Sequence, residues 1–179
     1  MKKNIMIPVM VLFAGILTAG KISAGVENLE VRAYKISHDL TVPGKPEEIF
    51  DALSGDISGW WDHSFSEKPR ALYIEPKPGG AFMEIFDDAG NGVKHATVIA
   101  ADRGKLLRFE GPLGLSGRAV QLVSSYELTA AGPDSTHIKF ELHGSGELND
   151  KLIKIVDGVW YHFLFEQFKP YIETQNQKK

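Results

Sequence analysis

The 179-residue sequence contains no cysteine. Disulfide staples, thiol nucleophiles and cysteine-ligated metals are therefore excluded, and the core and its hydrogen bonds must hold the fold alone. Positive charge is scarce as well: 20 Lys and Arg stand against 23 Asp and Glu, for a net charge of −3. No stripe of Lys and Arg tracks one segment, so the electrostatic footprint of a nucleic-acid binder is missing and no nucleic-acid partner is expected. Internal repeats, low-complexity tracts and linker-like stretches are also lacking. That excludes solenoids and beads-on-a-string arrangements and leaves one domain of ordinary size.

One long apolar run is present, at the N-terminus. Lys2 and Lys3 precede an apolar stretch from Ile5 to Leu17, which contains Pro8 and Gly15, and Ile22-Ser23-Ala24 supplies small residues. A basic start, a modest apolar segment and a small-residue exit describe a secretory signal peptide, and the run is short for a bilayer span of about 20 residues. The expectation is cleavage after Ala24, leaving a periplasmic or secreted protein with no stable membrane anchor. No cysteine stands there to be lipidated. Residues 1–24 are thus read as a signal peptide and 25–179 as a single domain. Loss of Lys2, Lys3 and Lys21 leaves 17 basic against 23 acidic side chains, a net charge of −6.

From Val31 to Val42 apolar and polar residues alternate: Tyr34, Ile36, His38, Leu40 and Val42 share one side, Lys35, Ser37, Asp39 and Thr41 the other. This is the period of a half-buried strand. After Pro43-Gly44, Pro46 opens a helix whose first turn carries Glu47 and Glu48 and whose apolar face is Ile49, Phe50 and Leu53. Gly55 ends it, and Asp56 is placed to cap a second short helix finishing near Trp60-Trp61. Strands are expected near 70–76, 81–87, 93–101, 105–111, 118–129 and 136–145, separated by clusters of Gly, Pro, Asn and Asp. Strands this close in sequence pair antiparallel. In the last two, Val120, Leu122, Ser124, Tyr126, Leu128, Ile138, Phe140 and Leu142 form a covered face, with Gln121, Glu127, Lys139, Glu141 and His143 opposite.

A covered face needs a cover. From about Leu148 to Gln167, Leu152, Ile155, Val156, Val159, Trp160, Phe163, Leu164 and Phe168 recur at helical spacing, which predicts a long helix with a broad apolar stripe. Gly158 within it suggests close packing or space left for something else. Pro170 is expected to kink or end the helix. The fold class is α+β: a curved antiparallel sheet of about seven strands around a long C-terminal helix, with two short helices after the first strand.

The order Pro46-Glu-Glu-Ile-Phe-Asp-Ala-Leu53, Trp60-Trp61, Glu75-Pro-Lys-Pro-Gly-Gly80, Ala96-Thr-Val-Ile-Ala-Ala-Asp102 and Leu106-Leu-Arg-Phe109 resembles the START-like, or SRPBCC, superfamily. Within it the chain is most similar to the branch homologous to the heat-shock-chaperone ATPase activator (the AHSA-type domain), over roughly residues 31–173. The resemblance implies a helix-grip fold closing on an apolar cavity. Members bind lipids, hormones, polyketides or other hydrophobic molecules, and some are cyclases or dehydratases. An exported chain would meet neither that chaperone nor ATP, so the co-chaperone activity is not carried over; fold does not transfer function.

The candidate ligand-binding residues are Trp60, Trp61, Phe109, Tyr126, Val159, Trp160 and Phe163. The resemblance puts the Trp pair at the cavity mouth, and adjacent side chains diverge, so one of the two is expected inside. Polar candidates are His38, Glu84 and His95, any of which could act as acid or base if it faced the cavity. His38 shares the covered parity of Ile36 and Leu40, whereas Met83 and Ile85 compete with Glu84 for the inward direction and predict it exposed. His95 lies in a strand apolar on both faces. No metal site is expected: His137 and His143 are about 20 Å apart along a strand, and His162 has no histidine one turn away. The glycine clusters lack the Lys-Ser/Thr of a phosphate cradle, and no serine has nucleophile-elbow context.

The leading functional reading is an exported helix-grip protein that binds a hydrophobic small molecule or lipid without a cofactor. Two alternatives stand beside it. One is a cofactor-independent enzyme of cyclase or dehydratase type using His38, Glu84 or His95. The other is a periplasmic protein-interaction or chaperone-like module using the exposed sheet face and the Trp pair.

Overall fold

Alternating side chains and Gly/Pro-rich turns generate eight antiparallel strands in a computed structural model that describes residues 25–177. Residues 1–24, expected from the sequence to be a signal peptide, lie outside the described residues. The strands are β1 (Val31–Pro43), β2 (Gly55–Asp56), β3 (Ala71–Ile74), β4 (Ala81–Ile85), β5 (Gly92–Asp102), β6 (Leu106–Gly111), β7 (Val120–Gly132) and β8 (Ser135–Glu147). They lie in the order β1-β8-β7-β6-β5-β4-β3-β2, so consecutive strands are neighbours from β2 through β8 and only β1 returns to the far edge. The expected strands are present within a few residues. The eighth is β2, two residues that pair with Tyr73 and Ile74.

Helix α1 (Pro46–Leu53) buries Ile49, Phe50 and Leu53 as its pattern requires. The second short helix does not form. Gly55, at φ +67, turns the chain into β2, and residues 58–60 make a hydrogen-bonded turn instead. Asp56 still acts as a local cap, its carboxylate accepting from the Ser58 N–H at 2.9 Å. Too few residues separate the β2 pairing from Trp60 for a helix to nucleate.

The C-terminal cover comprises α2 (Asp150–Tyr161), a π-helical segment (His162–Phe168) and α3 (Lys169–Asn176). Asn149 caps its start, accepting from Leu152 N–H. Pro170 does not end it. The π segment shifts the ladder to i→i−5, as in Lys169 N–H to Leu164 O, and Pro170 falls in the first turn of α3, where a missing N–H is tolerated. Ile155 stays on the expected stripe but is 52% exposed rather than buried. A Cβ on Gly158 would meet open space, so close packing does not explain that glycine.

The core lies between the sheet's concave face and this helix. Leu122, Tyr126, Leu128, Ile138, Phe140 and Leu142 enter from β7 and β8, with Val156, Trp160, Phe163, Leu164 and Phe168 from the helix. Arg103 of the β5–β6 turn clasps Asp51 of α1 through both carboxylate oxygens at 2.8 and 2.6 Å. Among the described residues no helix is long and apolar enough to cross a membrane.

Tyr34 of β1 faces Gly144 of β8, where a Cβ would collide with its ring. Its hydroxyl is buried without a partner, and burial pushes the phenol up to about 12. Unfolded tyrosine ionises near pH 10, so this component of stability is intact below about pH 10 and lost as pH rises through about 12. Tyr34→Phe removes the orphan hydroxyl. Urea unfolding is expected to show the variant unchanged or more stable by up to about 1 kcal/mol at pH 7, with a shallower loss of stability between pH 10 and 12.

Candidate functional site

A cavity of about 340 Å3 opens between the helix and one end of the sheet. Leu152, Ile155, Val156, Val159, Trp160 and Phe163 supply its helical wall, one stripe at i, i+3, i+4 and i+7 spacing. Leu122 of β7 and the 3₁₀ turn Leu113–Leu115 form the opposing wall, and the segment Trp61–Phe65 forms the rim. Leu113 is the one non-glycine residue with positive φ (+51) among those described. A buried leucine held in the left-handed region stores local strain at the cavity wall. A closed, dry, apolar void of this volume would cost roughly 8 kcal/mol at about 24 cal/mol per Å3, so the opening at the rim matters for stability as well as access.

The tryptophan pair divides as adjacent side chains must. Trp61 faces the cavity and stacks on Phe163, with ring centroids 3.9 Å apart and planes at 24°. Trp60 turns into the core against Phe168, 4.9 Å away, and its indole N–H donates to Ala52 O at 3.0 Å. Of the expected ligand-binding set, Trp61, Val159, Trp160 and Phe163 line the cavity, whereas Trp60, Phe109 and Tyr126 do not. Phe109 and Tyr126 form the layer beneath, in a chain of ring contacts that runs Phe82–Phe109–Tyr126–Phe140–Trp160.

His38 faces the helix, as its strand parity predicts, but on the flank away from the cavity. It packs among Phe140, Tyr161 and Phe165. Its Nε2 comes within 3.0 Å of the Asp157 carboxylate, yet the angle is not that of a hydrogen bond and the nitrogen has no true partner. His38 is therefore no polar anchor of this cavity.

Glu84 reverses its expectation: it is fully buried. Phe82 and Glu84 take the covered side of β4, while Met83 and Ile85 lie on the half-exposed side. The carboxyl group is satisfied from three directions. Ser66 N–H donates to Oε1 at 2.9 Å, Phe65 N–H donates to Oε2 at 3.1 Å, and His95 Nε2 lies 3.1 Å from Oε2. Glu84 thus pins the cavity rim to the sheet.

His95 reaches the cavity because β5 bulges there. Phe82 pairs with Ala96 and Met83 with Lys94, so His95 is the extra residue and both His95 and Ala96 point inward. Gly111 makes room for the bulge, since a Cβ there would strike the His95 carbonyl and Ala96 Cα. With Oε2 already accepting a backbone N–H, the pairing assigns the proton to His95 Nε2 and leaves Nδ1 as an acceptor. A histidine in a cavity wall, oriented by a buried carboxylate, is equipped both to anchor a polar ligand group and to accept a proton from one. The bulge has no signature in the alternation pattern, and so the inward turn of His95 was not legible.

At the rim, folding brings together residues that lie 100 positions apart. His162 Nε2 is 2.8 Å from Asp62 Oδ2, Asp62 Oδ1 is 2.8 Å from His63 Nδ1, and His162 Nδ1 is 2.7 Å from Glu166 Oε2. Glu166 first and Asp62 second raise the His162 imidazole above its usual range. Burial works to raise the Asp62 carboxyl, but the bonds to His63 and His162 outweigh it and hold the group low. Asp62–His63 and His162–Glu166 are local pairs, but spacing along the chain carries no sign that the two pairs meet.

Curved antiparallel sheet, gripped C-terminal helix and the cavity between them define the helix-grip fold of START-like (SRPBCC) proteins. The sequence matches no family model and no curated protein. Solved structures match the fold. A Mesorhizobium loti protein aligns at TM-score 0.57 and 20% identity, covering 79% of this chain and 98% of that one. Truncated norcoclaurine synthase from Thalictrum flavum aligns at TM-score 0.53 and 16% identity, over 86% and 99%. The Aha1 dimer from Colwellia psychrerythraea aligns at 0.52 and 19%, over 78% and 96%. At these identities what is shared is the fold.

Proposed function

We propose that this chain is an exported binder of an apolar small molecule or lipid chain, taken up without a cofactor in the cavity between sheet and helix, with His95 as the polar anchor. The observation that carries the reading is the cavity itself: about 340 Å3, walled by aliphatic and aromatic side chains, with the Glu84-held imidazole of His95 among them. Small-molecule sites have this composition, mostly apolar with a few placed polar groups, and volumes from about 300 Å3 upward. The strained Leu113 in the wall fits a surface shaped for something other than stability. Export rests on the basic and apolar pattern of residues 1–24, and intact mass of the mature protein tests it.

A second reading is favoured by the Glu84–His95 pair. A carboxylate-oriented imidazole in an apolar pocket is the arrangement of a general base, which supports a cofactor-independent acid–base enzyme on the same bound molecule. The fold is shared with norcoclaurine synthase, a structure of which contains a transition-state analogue.

Filling the cavity tests both readings. Val159→Trp is expected to weaken binding of the apolar fluorophore N-phenyl-1-naphthylamine by more than about tenfold, while changing stability by no more than about 1–3 kcal/mol. Unchanged fluorophore binding in the variant overturns the cavity reading. His95→Ala separates binder from enzyme: a binder keeps the fluorophore and loses only preference for polar-headed ligands, whereas an enzyme loses turnover by about 100-fold or more.

A further inference from the structure

We infer that Asp62, His63 and His162 form a three-ligand site for a divalent transition cation of the zinc class at the rim of the cavity. Two imidazoles and one carboxylate make the nitrogen-and-oxygen donor set that suits such ions. One donor atom from each residue falls in a group whose members all lie within 4.8 Å of one another. A cation held at about 2.0–2.2 Å from each needs donors roughly 3–4 Å apart, so side-chain rotation alone closes the site.

The outer arrangement is that of a ligating histidine. His162 Nδ1 is occupied by the Glu166 carboxylate, one helical turn on, which leaves Nε2 directed at Asp62. A histidine with one nitrogen on a carboxylate and the other on the inner cluster has both its tautomer and its ring plane set for a metal. Gln167 adds an amide 3.3 Å from the same Nε2.

The backbone is held in place on both sides. Trp61 and Phe163, the neighbours of the two ligand segments, stack at 3.9 Å and lock Asp62-His63 against His162. Phe65 and Ser66 are hydrogen-bonded to buried Glu84 just beyond. His162 opens the π-helical segment, and such interruptions of an α-helix occur frequently at functional sites. Three protein ligands leave a further coordination position, and one of the three, His63, itself lines the cavity. That position suits water or the carboxylate, phosphate or carbonyl of a bound molecule.

Calorimetric titration of the full chain with Zn2+ is expected to show one saturable site, and Co2+ to give the visible absorption of a four- or five-coordinate nitrogen and oxygen environment. His162→Ala is expected to abolish both signals. Glu166→Gln, an exposed change that leaves the fold intact by circular dichroism, is expected to weaken Zn2+ by about 10–100-fold. Absence of a Zn2+ signal in the unmodified chain would mean that the cluster is only a set of surface ion pairs, and would overturn the assignment. Binding that survives His162→Ala within about threefold would place the metal on other surface histidines and overturn it equally.

Discussion

Glu84→Leu is expected to destabilise the protein by about 3–5 kcal/mol, the range for removing one partner from a buried, hydrogen-bonded polar pair. Leucine is close in volume, so the loss is not chiefly one of packing. It comes from three donors left facing hydrocarbon: the N–H groups of Phe65 and Ser66 and the Nε2 of His95. The rim can partly recover by lifting away and hydrating its two amides. That route predicts a second observable, a marked rise in hydrogen exchange at Phe65 and Ser66, while amides in β7 and β8 slow or quicken only with global stability. Urea midpoints give the first quantity. A loss below about 1 kcal/mol would mean that Glu84 reaches water, contrary to its full burial. Glu84→Gln should fall between, because one end of its amide presents a donor to donors.

Trp160→Ala is expected to cost about 3–5 kcal/mol for a different reason. The indole is 2% exposed and sits at the junction of the two aromatic sets. It lies 4.3 Å from Phe140 and 6.3 Å from Tyr126 beneath, and 5.9 Å from both Trp61 and Phe163 at the cavity. Truncation removes buried area and joins the cavity to the layer below. Stability and capacity should therefore move in opposite directions: a lower denaturant midpoint together with uptake of a bulkier apolar probe than the unmodified protein accepts. Loss of stability without added capacity would show that the layer collapses into the gap, in which case the wall at Trp160 is core rather than pocket.

These two residues mark the boundary of what was legible. Trp160 was placed correctly because the helical period is dense and regular from Leu152 to Phe168, and a wide apolar stripe has one place to go. Glu84 was misplaced because alternation in β4 reads equally well in either parity: Phe82 and Phe86 on one side, Met83 and Ile85 on the other. Only the partners decide, and the loop amides that make a buried carboxylate affordable come from another part of the chain. His95 needed a bulge, His38 needed the lateral position of the helix, and Phe109 and Tyr126 needed the depth of the cavity floor. None of these is a property of a residue and its near neighbours. The second short helix failed for a local reason of the same type, since pairing of Gly55-Asp56 with β3 took the residues that would have nucleated it.

What the sequence determined by itself is the alternation of strands, their antiparallel pairing, the breaks at Gly and Pro, and the long amphipathic helix that covers one face. Together they specify the helix-grip architecture, because each rests on short-range periodicity and on chain connectivity. What only the tertiary structure decided is the chemistry: which tryptophan enters the cavity, that Glu84 and His95 meet inside, and that Asp62, His63 and His162 converge at the rim. Those are distances of a few ångströms between residues as far as 100 positions apart, set by register, bulge and helix placement. Periodicity records which face a side chain takes; it does not record what waits on the other side.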